Sequence, residues 1–137
     1  MSAFAAHKLQ EAVYNKLTAD TDLNALVTAI YDEPPSGAVM PYIAQGDTST
    51  ALSDTKTEYG MSVTFTIEVW SDEASQMQTK EIMAVVDTVL HDQPLTIPGF
   101  HLSFLYHEKS TVERKTEETS VYHYGKLTYL ARLYKTP

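Results

Sequence analysis

Histidine is the first residue type to test for chemistry, because a metal site without cysteine would depend on it. This 137-residue chain has no cysteine and five histidines, at His7, His91, His101, His107 and His123. A zinc site needs three or four ligands that converge on one point. His101 and His107 lie on one face of a predicted strand, yet the extended chain between them holds them about 20 Å apart. We therefore predict no metal site.

Carboxylate pairs could act as general acid and base if an apolar cleft raised the pKa of one member. Glu117 and Glu118 form such a pair, but Arg114 and Lys115 lie beside them, which predicts a solvated, charged surface. The sequence also lacks a G-x-S-x-G elbow, a glycine-rich phosphate loop and a dinucleotide fingerprint. We therefore expect no catalytic residue, no bound cofactor and no enzymatic activity.

Tyrosine is unusually frequent, with nine residues in the chain. Five of them fall in predicted C-terminal strands, at Tyr106, Tyr122, Tyr124, Tyr129 and Tyr134. Tyrosine offers a large contact area at a small entropic cost, which suits interfaces. It is equally typical of half-buried strands. The composition is therefore compatible with both roles.

The last predicted strand, residues 121–134, has one apolar face and one face of mixed polarity. The apolar face carries Leu127, Tyr129, Ala131 and Leu133. The mixed face carries Tyr122, Tyr124, Lys126, Thr128, Leu130, Arg132 and Tyr134. A leucine on such a face needs cover, which a neighbouring subunit would supply. We therefore predict a subunit or lumen contact at Tyr122, Tyr124, Leu130 and Arg132, and a β-bulge at Gly125.

Residues 61–90 change hydrophobic period once, from two to about 3.6. Apolar residues first alternate with polar ones, at Val63, Phe65, Ile67 and Val69. They then recur at helical spacing, at Ile82, Val85, Val86 and Val89. This pattern predicts a half-buried strand followed by an amphipathic helix. Ser75 with Gln78 three residues later predicts a capping box at the start of that helix.

The N-terminal part is predicted to begin with a helix from Ser2, its N-cap, to about Thr18. Residues 18–22, TADTD, should end that helix and cap a second, short one. A brief strand at Ala29–Tyr31 precedes a loop, residues 32–37, that two prolines hold extended. A second strand over residues 41–45 is expected to end at Gly46.

Residues 47–60 are polar and rich in threonine and serine, which predicts either a mobile loop or a long hairpin arm. This is the longest stretch without a core pattern, and such segments often bind partners. We expect Asp54, Lys56 and Glu58 to lie in a subunit or lumen contact rather than in a cleft.

The C-terminal half adds a turn at Pro98 and Gly99, a strand, and a charged hairpin end at residues 111–119. Leu102, Phe104 and Tyr106 are predicted to share one face of that strand. The order helix, strands, helix, strands predicts an α+β fold. We expect a single domain over residues 1–137, with a mostly antiparallel sheet and two main helices packed on one face.

Charge and hydropathy argue against a duplex-binding, membrane or secreted protein. Ten lysines and arginines against eighteen acidic residues give a formal charge of −8, which repels a phosphate backbone. No run of eighteen apolar residues and no basic start followed by an apolar stretch is present. We therefore expect a soluble, unsecreted protein without membrane contact or tight duplex binding.

Six segments in order resemble the tail-completion, or tail-terminator, proteins of long-tailed phages, prophages and gene transfer agents. They are LQEAVYNKLTADTDLNALVTAIYDEPP, MPY, FTIEVWS, KEIMAVVDTVLHD, LTIPGFHLSFL and YGKLTYLARL. The match spans nearly the whole chain. Relatives often carry more than one arginine in the last strand, where this chain has only Arg132.

The resemblance implies a structural virion protein, assembled in the host cytoplasm, that forms a ring, usually a hexamer. Such a ring caps the tail tube and joins it to the head or neck. The implied partners are further copies of the chain, the tail-tube protein and a neck or stopper protein, with DNA passing non-specifically through the ring. Two alternatives remain open: a neck adaptor or stopper protein, and a small non-viral α+β ligand-binding module.

Overall fold

A computed structural model describes residues 4–136 as one five-stranded sheet with three helices. The elements in chain order are α1 (Ala6–Thr18), α2 (Thr21–Leu26), β1 (Ala29–Tyr31), β2 (Tyr42–Leu52), β3 (Gly60–Ser71), α3 (Met77–Leu90), β4 (Phe100–Glu117) and β5 (Ser120–Lys135). The strand order is β1-β2-β3-β5-β4. Only the β1–β2 pair is parallel within the described sheet. The predicted α+β class with a mostly antiparallel sheet is confirmed.

The two long helices, α1 and α3, pack on one face of the sheet, which we name the covered face. Alternate residues of β3 and β5 point to this face and are fully buried, as the period of two predicted. The helices bury their own apolar stripes against them. The largest fully buried side chains of this core include Leu9, Leu17, Ile67, Ile82, Leu127, Tyr129 and Leu133.

The start of the chain agrees with the prediction from Ala6 onward. Helix α1 ends at Thr18 as predicted. The Asp20 side chain then accepts a hydrogen bond of 2.9 Å from the Leu23 amide, which caps α2. The described helix begins with Ala5 at its N-cap position. The predicted N-cap, Ser2, lies outside the described residues.

The capping box predicted for α3 is wrong. Helix α3 begins at Met77, whose amide donates to the Ser75 hydroxyl over 3.2 Å. The Gln78 side chain instead accepts a hydrogen bond from the Ser71 hydroxyl. Ser71 is fully buried at the end of β3. A buried hydroxyl without a hydrogen-bond partner costs more free energy than an exposed helix end, which water can hydrogen-bond, so Gln78 binds Ser71.

Strand β2 does not end at Gly46, so that prediction is wrong as well. The strand continues to Leu52 after a β-bulge between Gln45 and Thr48, and its outer half pairs with β3. Residues 47–52 therefore form the hairpin arm that was one of the two predicted alternatives. A Cβ at Gly46 would lie 2.2 Å from the Thr66 hydroxyl oxygen, so close approach of β3 requires glycine there.

Strand β4 contains two irregularities that the sequence pattern hid. The register shifts between Leu102 and Phe104, so Leu102 turns to the covered face while Phe104 and Tyr106 turn away from it. The prediction that these three share a face is wrong, because one inserted residue reverses the alternation. For the same reason His101 and His107 lie on opposite faces, opposite Tyr134 and Tyr129 of β5 respectively.

Gly125 does not mark a bulge, because its register with Val69 and Val112 is continuous. A Cβ at this position would lie 2.5 Å from the Met83 sulfur and 2.8 Å from the Thr79 methyl group. The glycine therefore lets α3 approach the sheet closely.

Candidate interaction surface on the open sheet face

The second face of the sheet carries no helix within residues 4–136, and we name it the open face. Cross-strand register places its side chains in rows that alternate with the buried ones. From β2 and β3 it receives Tyr42, Ala44, Ser62, Thr64, Thr66, Glu68 and Trp70. From β5 and β4 it receives Tyr122, Tyr124, Lys126, Thr128, Leu130, Arg132, Tyr134, His101, Phe104, Tyr106, Lys109, Thr111, Glu113 and Lys115.

An aromatic cluster occupies one end of the open face, formed by Tyr31, Tyr42, Trp70, Tyr122 and Tyr124. Trp70 lies directly opposite Tyr42 on β2 and Tyr124 on β5. Its ring contacts Tyr124 edge-on at 4.4 Å, stacks on Tyr42 at 6.3 Å and meets Tyr122 at 5.9 Å. Such cross-strand aromatic pairs stabilise a sheet and present a broad contact surface.

Glu68 holds this cluster in place from within the face. Its carboxylate accepts a hydrogen bond of 3.3 Å from the Trp70 indole nitrogen and another from the Tyr124 hydroxyl. Burial, and then the Glu68 charge, raise the pKa of Tyr124 well above its ordinary value. The pKa of Tyr42 is raised for the same two reasons. Both hydroxyls therefore stay protonated at neutral pH.

A lysine lies over the aromatic cluster. The Lys115 ammonium is 5.2 Å from the Tyr124 ring centre and 6.0 Å from that of Trp70, which are cation–π distances. The Tyr122 hydroxyl is hydrogen-bonded to Glu117, and this bond raises the pKa of Tyr122. The cluster therefore combines aromatic area with charges of both signs, a composition typical of protein interfaces.

Arg132 organises the opposite end of the open face. Its guanidinium donates to the Ser62 hydroxyl at 3.0 Å, the Ser53 carbonyl at 3.1 Å and the Tyr134 hydroxyl at 3.0 Å. Beside it, Phe104 and Tyr106 stack at 5.0 Å, and Tyr106 is 46% exposed. An exposed aromatic ring beside a fixed arginine is a common feature of energetically important contact sites.

The residues predicted to form contacts fall into two groups rather than one patch. Tyr122 and Tyr124 lie in the aromatic cluster, whereas Leu130 and Arg132 lie toward the other end of β5. Eight residues of strand separate Tyr122 from Leu130, which corresponds to about 27 Å. All four are on the open face.

The predicted trio Asp54, Lys56 and Glu58 lies in the turn of residues 53–59, at the Arg132 end of the molecule. Asp54 accepts a hydrogen bond of 3.1 Å from the Gly60 amide, so it stabilises the turn. Lys56 and Glu58 are exposed. The turn is tied to the open face because Arg132 binds the Ser53 carbonyl.

Sequence reasoning missed the part that Tyr42, Glu68, Trp70 and Phe104 play in this surface. The alternation of β3 already placed Glu68 on the face away from the apolar residues. Nothing in the sequence gave the register that brings Tyr42 and Tyr124 to the two sides of Trp70.

A polar network between α3 and the covered face of the sheet joins α3 to β4 and β5. Asp87 accepts a hydrogen bond from the Tyr129 hydroxyl at 3.0 Å and lies 3.0 Å from the His107 Nδ1 atom. The His107 amide donates to His91 Nδ1 at 2.9 Å. Burial, followed by the Asp87 charge, raises the pKa of Tyr129 far above its ordinary value. The network holds these elements together.

No group of three histidine, aspartate or glutamate side chains within residues 4–136 is arranged to hold a metal ion. None of the described helices is both long and apolar enough to cross a membrane.

Comparison with known proteins gives consistent matches over nearly the whole chain. The family described as Tail completion protein gp17 matches residues 11–134. A relative described as Tail completion protein gp17 of Bacillus phage SPP1 is 27% identical over 96 residues, which cover 70% of this chain and 71% of the relative.

Two solved structures have similar folds. A chain of the virion of a native gene transfer agent particle superposes with a TM-score of 0.85 and 32% identity, over 97% of this chain and 99% of that one. The bacteriophage SPP1 gp17 protein superposes with a TM-score of 0.63 and 21% identity, over 100% of this chain and 96% of that one. The second likeness concerns the fold alone.

Proposed function

Because this chain belongs to the family of tail completion protein gp17, we propose that it is a ring-forming tail terminator of a phage or gene transfer agent virion. In this role, copies of the chain assemble into a ring, with six as the expected number. The ring caps the end of the tail tube and joins the tube to the head or neck. The protein acts by surface complementarity and performs no reaction.

The open face is the observation that carries this proposal. It presents several half-buried aromatic rings, an arginine and three lysines, and nothing within residues 4–136 covers them. Protein interfaces are enriched in tyrosine, tryptophan and arginine. In the proposed ring, Tyr122, Tyr124, Leu130 and Arg132 contact a neighbouring copy or the tube.

A ring requires a heterologous contact, in which two different patches of the same chain meet. Charge supports such a contact. Four of the ten lysines and arginines lie on the open face, at Lys109, Lys115, Lys126 and Arg132. They face three of the eighteen acidic residues, Glu68, Glu113 and Glu117. The remaining surface is therefore strongly acidic and complements the open face electrostatically.

The net charge also suits a channel for DNA. Each copy contributes a formal −8, so the ring repels the phosphate backbone as a whole. DNA would pass through such a ring without a specific binding site. We assign the turn of residues 53–59, with Asp54, Lys56 and Glu58, to a contact with a neighbour or with the lumen.

The apolar cavity beneath α1 is too small to serve the ligand-binding alternative, and the larger concavities of residues 4–136, of about 270 to 530 Å³, are open grooves on the surface. Ala6, Leu9, Val13, Val63 and Phe65 are among the residues that line the cavity beneath α1. Its volume is about 20 Å³, which is the space of a single water molecule. A substrate-sized ligand needs several hundred cubic ångströms.

Mass measurement in solution, combined with electron microscopy of purified tail tubes, tests the proposal. Light scattering should detect a closed oligomer of about six copies, either at high concentration or when tubes are added. Images should place the ring at one tube end. A double variant, Tyr122→Ala with Leu130→Ala, should lose assembly while the monomer stays folded and unfolds only slightly below the wild-type temperature.

The matched control for that variant is Met77→Ala, which truncates a side chain that is 63% exposed on the helical side. It should assemble normally. A chain that stays monomeric at every concentration and does not bind tubes would refute the ring. A ring that binds only to an isolated neck complex, and never to tubes, would instead identify a neck adaptor or stopper.

A further inference from the structure

A cationic groove crosses the open face between β4 and β5, and we name it the lysine groove. It has a volume of about 290 Å³, and the residues that line it include Lys109, Glu113, Lys115, Tyr124 and Lys126. Three of the ten lysines and arginines of an acidic protein therefore line one concave site. Like charges held this close favour an acidic occupant.

The opposite edge of the sheet carries an acidic projection, residues 32–40, which we name the acidic loop. It begins with Asp32 and Glu33, continues through two prolines, and exposes Val39 by 65%. Its base is fixed, because the Gln10 side chain donates to Asp32 at 2.7 Å and the Thr28 hydroxyl donates to the carbonyl of Val39. A preorganised loop loses little entropy on docking.

Strand register places the groove and the loop at the same height along the sheet. Tyr31, the last residue before the acidic loop, lies opposite Ala44 of β2, which lies opposite Glu68 of β3. Glu68 lies opposite Lys126, a residue of the lysine groove. The loop therefore leaves the sheet at the β1 edge, and the groove lies beside the β4 edge, at the same level along the strands.

We propose that the acidic loop of one copy docks into the lysine groove of the next copy around the ring. The inference rests on the proposed ring and specifies the contact that closes it. A ring closes when two different patches meet by rotation alone, without translation along the axis. Sites at equal height on opposite edges satisfy this condition if the strands run along the ring axis.

The occupant is a second copy rather than nucleic acid for two reasons. A duplex would extend beyond the groove onto the strongly acidic remainder of the surface, whereas the loop brings only two carboxylates, those of Asp32 and Glu33. The acidic loop also brings an apolar residue, Val39, whose exposure a contact would remove. Glu33 and Val39 together match a groove that offers lysines beside the Tyr124 ring.

Complementary charge reversal provides the principal test. The groove variant carries Lys109→Glu and Lys126→Glu, and the loop variant carries Asp32→Lys and Glu33→Lys. Each variant alone should need at least a tenfold higher concentration to assemble than the wild type, because every contact then joins like charges. An equal mixture should assemble again, since alternation of the two variants makes every contact attractive around an even-numbered ring.

Disulfide trapping gives a second measurement, which the absence of cysteine makes clean. A variant with Glu33→Cys and Lys109→Cys should form a ladder of covalent oligomers on mild oxidation. The matched control pairs Glu33→Cys with Glu81→Cys, an exposed position on α3 that faces away from the groove. The control should form no ladder.

The outcomes separate this inference from the ring itself. If wild-type rings form, but reversal leaves assembly unchanged and no ladder appears, the docking assignment is wrong while the ring stands. If the wild type never assembles, even on tubes, both are wrong. If the groove variant assembles normally but no longer binds a short DNA duplex that the wild type binds, the groove is a nucleic-acid site and the inference is overturned.

Discussion

The two faces of one sheet follow the same strands and alternate residue by residue, yet they differ in how completely they are buried. On the covered face of β5, Leu127 and Leu133 are no more than 1% exposed. On the open face of the same strand, Leu130 and Arg132 are only half-buried. The monomer therefore completes one face with its own helices and leaves the other for a partner. Stability should depend on the first face and assembly on the second.

The largest expected effect comes from truncating the covered face. Leu127→Ala should lower the free energy of unfolding by about 2–5 kcal/mol, because a buried side chain is replaced by a cavity. The matched change on the open face, Leu130→Ala, should cost the monomer less than about 1 kcal/mol and instead weaken assembly. Urea unfolding and light scattering measure the two effects. If Leu127→Ala and Leu130→Ala lowered monomer stability equally, the two faces would not differ in their contribution to folding.

A second test fills space on the covered face rather than emptying it. Gly125→Ala should destabilise the protein by about 1–3 kcal/mol, because the new methyl group would overlap the Met83 sulfur. The control is Ser49→Ala, an exposed position on the open face of β2, where no helix packs. Thermal unfolding compares the two. An unchanged midpoint for Gly125→Ala would show that α3 can move away from the sheet at little cost.

The polar network under the covered face predicts a pH dependence. The folded protein holds the pKa of Tyr129 above the value near 10 that an unfolded tyrosine has. Above pH 10 the unfolded chain therefore releases a proton that the folded chain retains, and stability falls as pH rises. Below that pH the raised pKa has no effect, because the hydroxyl is protonated in both states.

Tyr129→Phe should weaken this alkaline loss, to which the raised pKa values of Tyr42, Tyr122 and Tyr124 also contribute. At neutral pH it should lower stability by about 0.5–1.5 kcal/mol through the lost hydrogen bond to Asp87. The control is Tyr14→Phe on α1, an exposed side chain, which should leave unfolding near neutral pH unchanged. Urea titrations at neutral and alkaline pH measure both. An alkaline slope as steep in Tyr129→Phe as in the wild type would assign the effect to the other tyrosines.

The smallest expected effect concerns Arg132 and the turn of residues 53–59. Arg132→Lys should cost about 1 kcal/mol or less, because one ammonium cannot replace the three separate hydrogen bonds of the guanidinium. Faster hydrogen exchange in residues 53–59 is the sensitive measurement. Exchange as slow as in the wild type would mean that the turn's own hydrogen bonds, including those of Asp54 and Thr55, hold it without the arginine.

The covered face was also the part of the fold that the sequence predicted best. Burial imposes a strict period on β3, α3 and β5, and Val63, Ile67 and Leu127 repeat it without error. The predicted boundary of α1 at Thr18 and the cap at Asp20 rest on equally local signals. The prediction failed where local signals compete, as when Gln78 binds Ser71 instead of capping α3.

For the open face, the sequence predicted which residues of a single strand share that face, but not which strands pair with each other. Alternation in β5 placed Tyr122, Tyr124 and Arg132 together on one side, which the structure confirms. The bulge between Leu102 and Phe104 left no mark in the hydrophobic pattern. The sequence therefore could not show that Phe104 and Tyr106 turn to the open face. Pairing between strands distant in sequence likewise determines which aromatic rings meet, and the hydrophobic period does not encode it.

The small residues of the open face have a consequence for the kinetics of association. Thr66, Thr128 and Ala44 are nearly inaccessible although no helix lies over them. The aromatic rings of the same face are already immobilised by mutual contact and by the hydrogen bond to Glu68. Such a surface can dock as a rigid body, so encounter rates should be governed by diffusion and orientation rather than by a slow rearrangement.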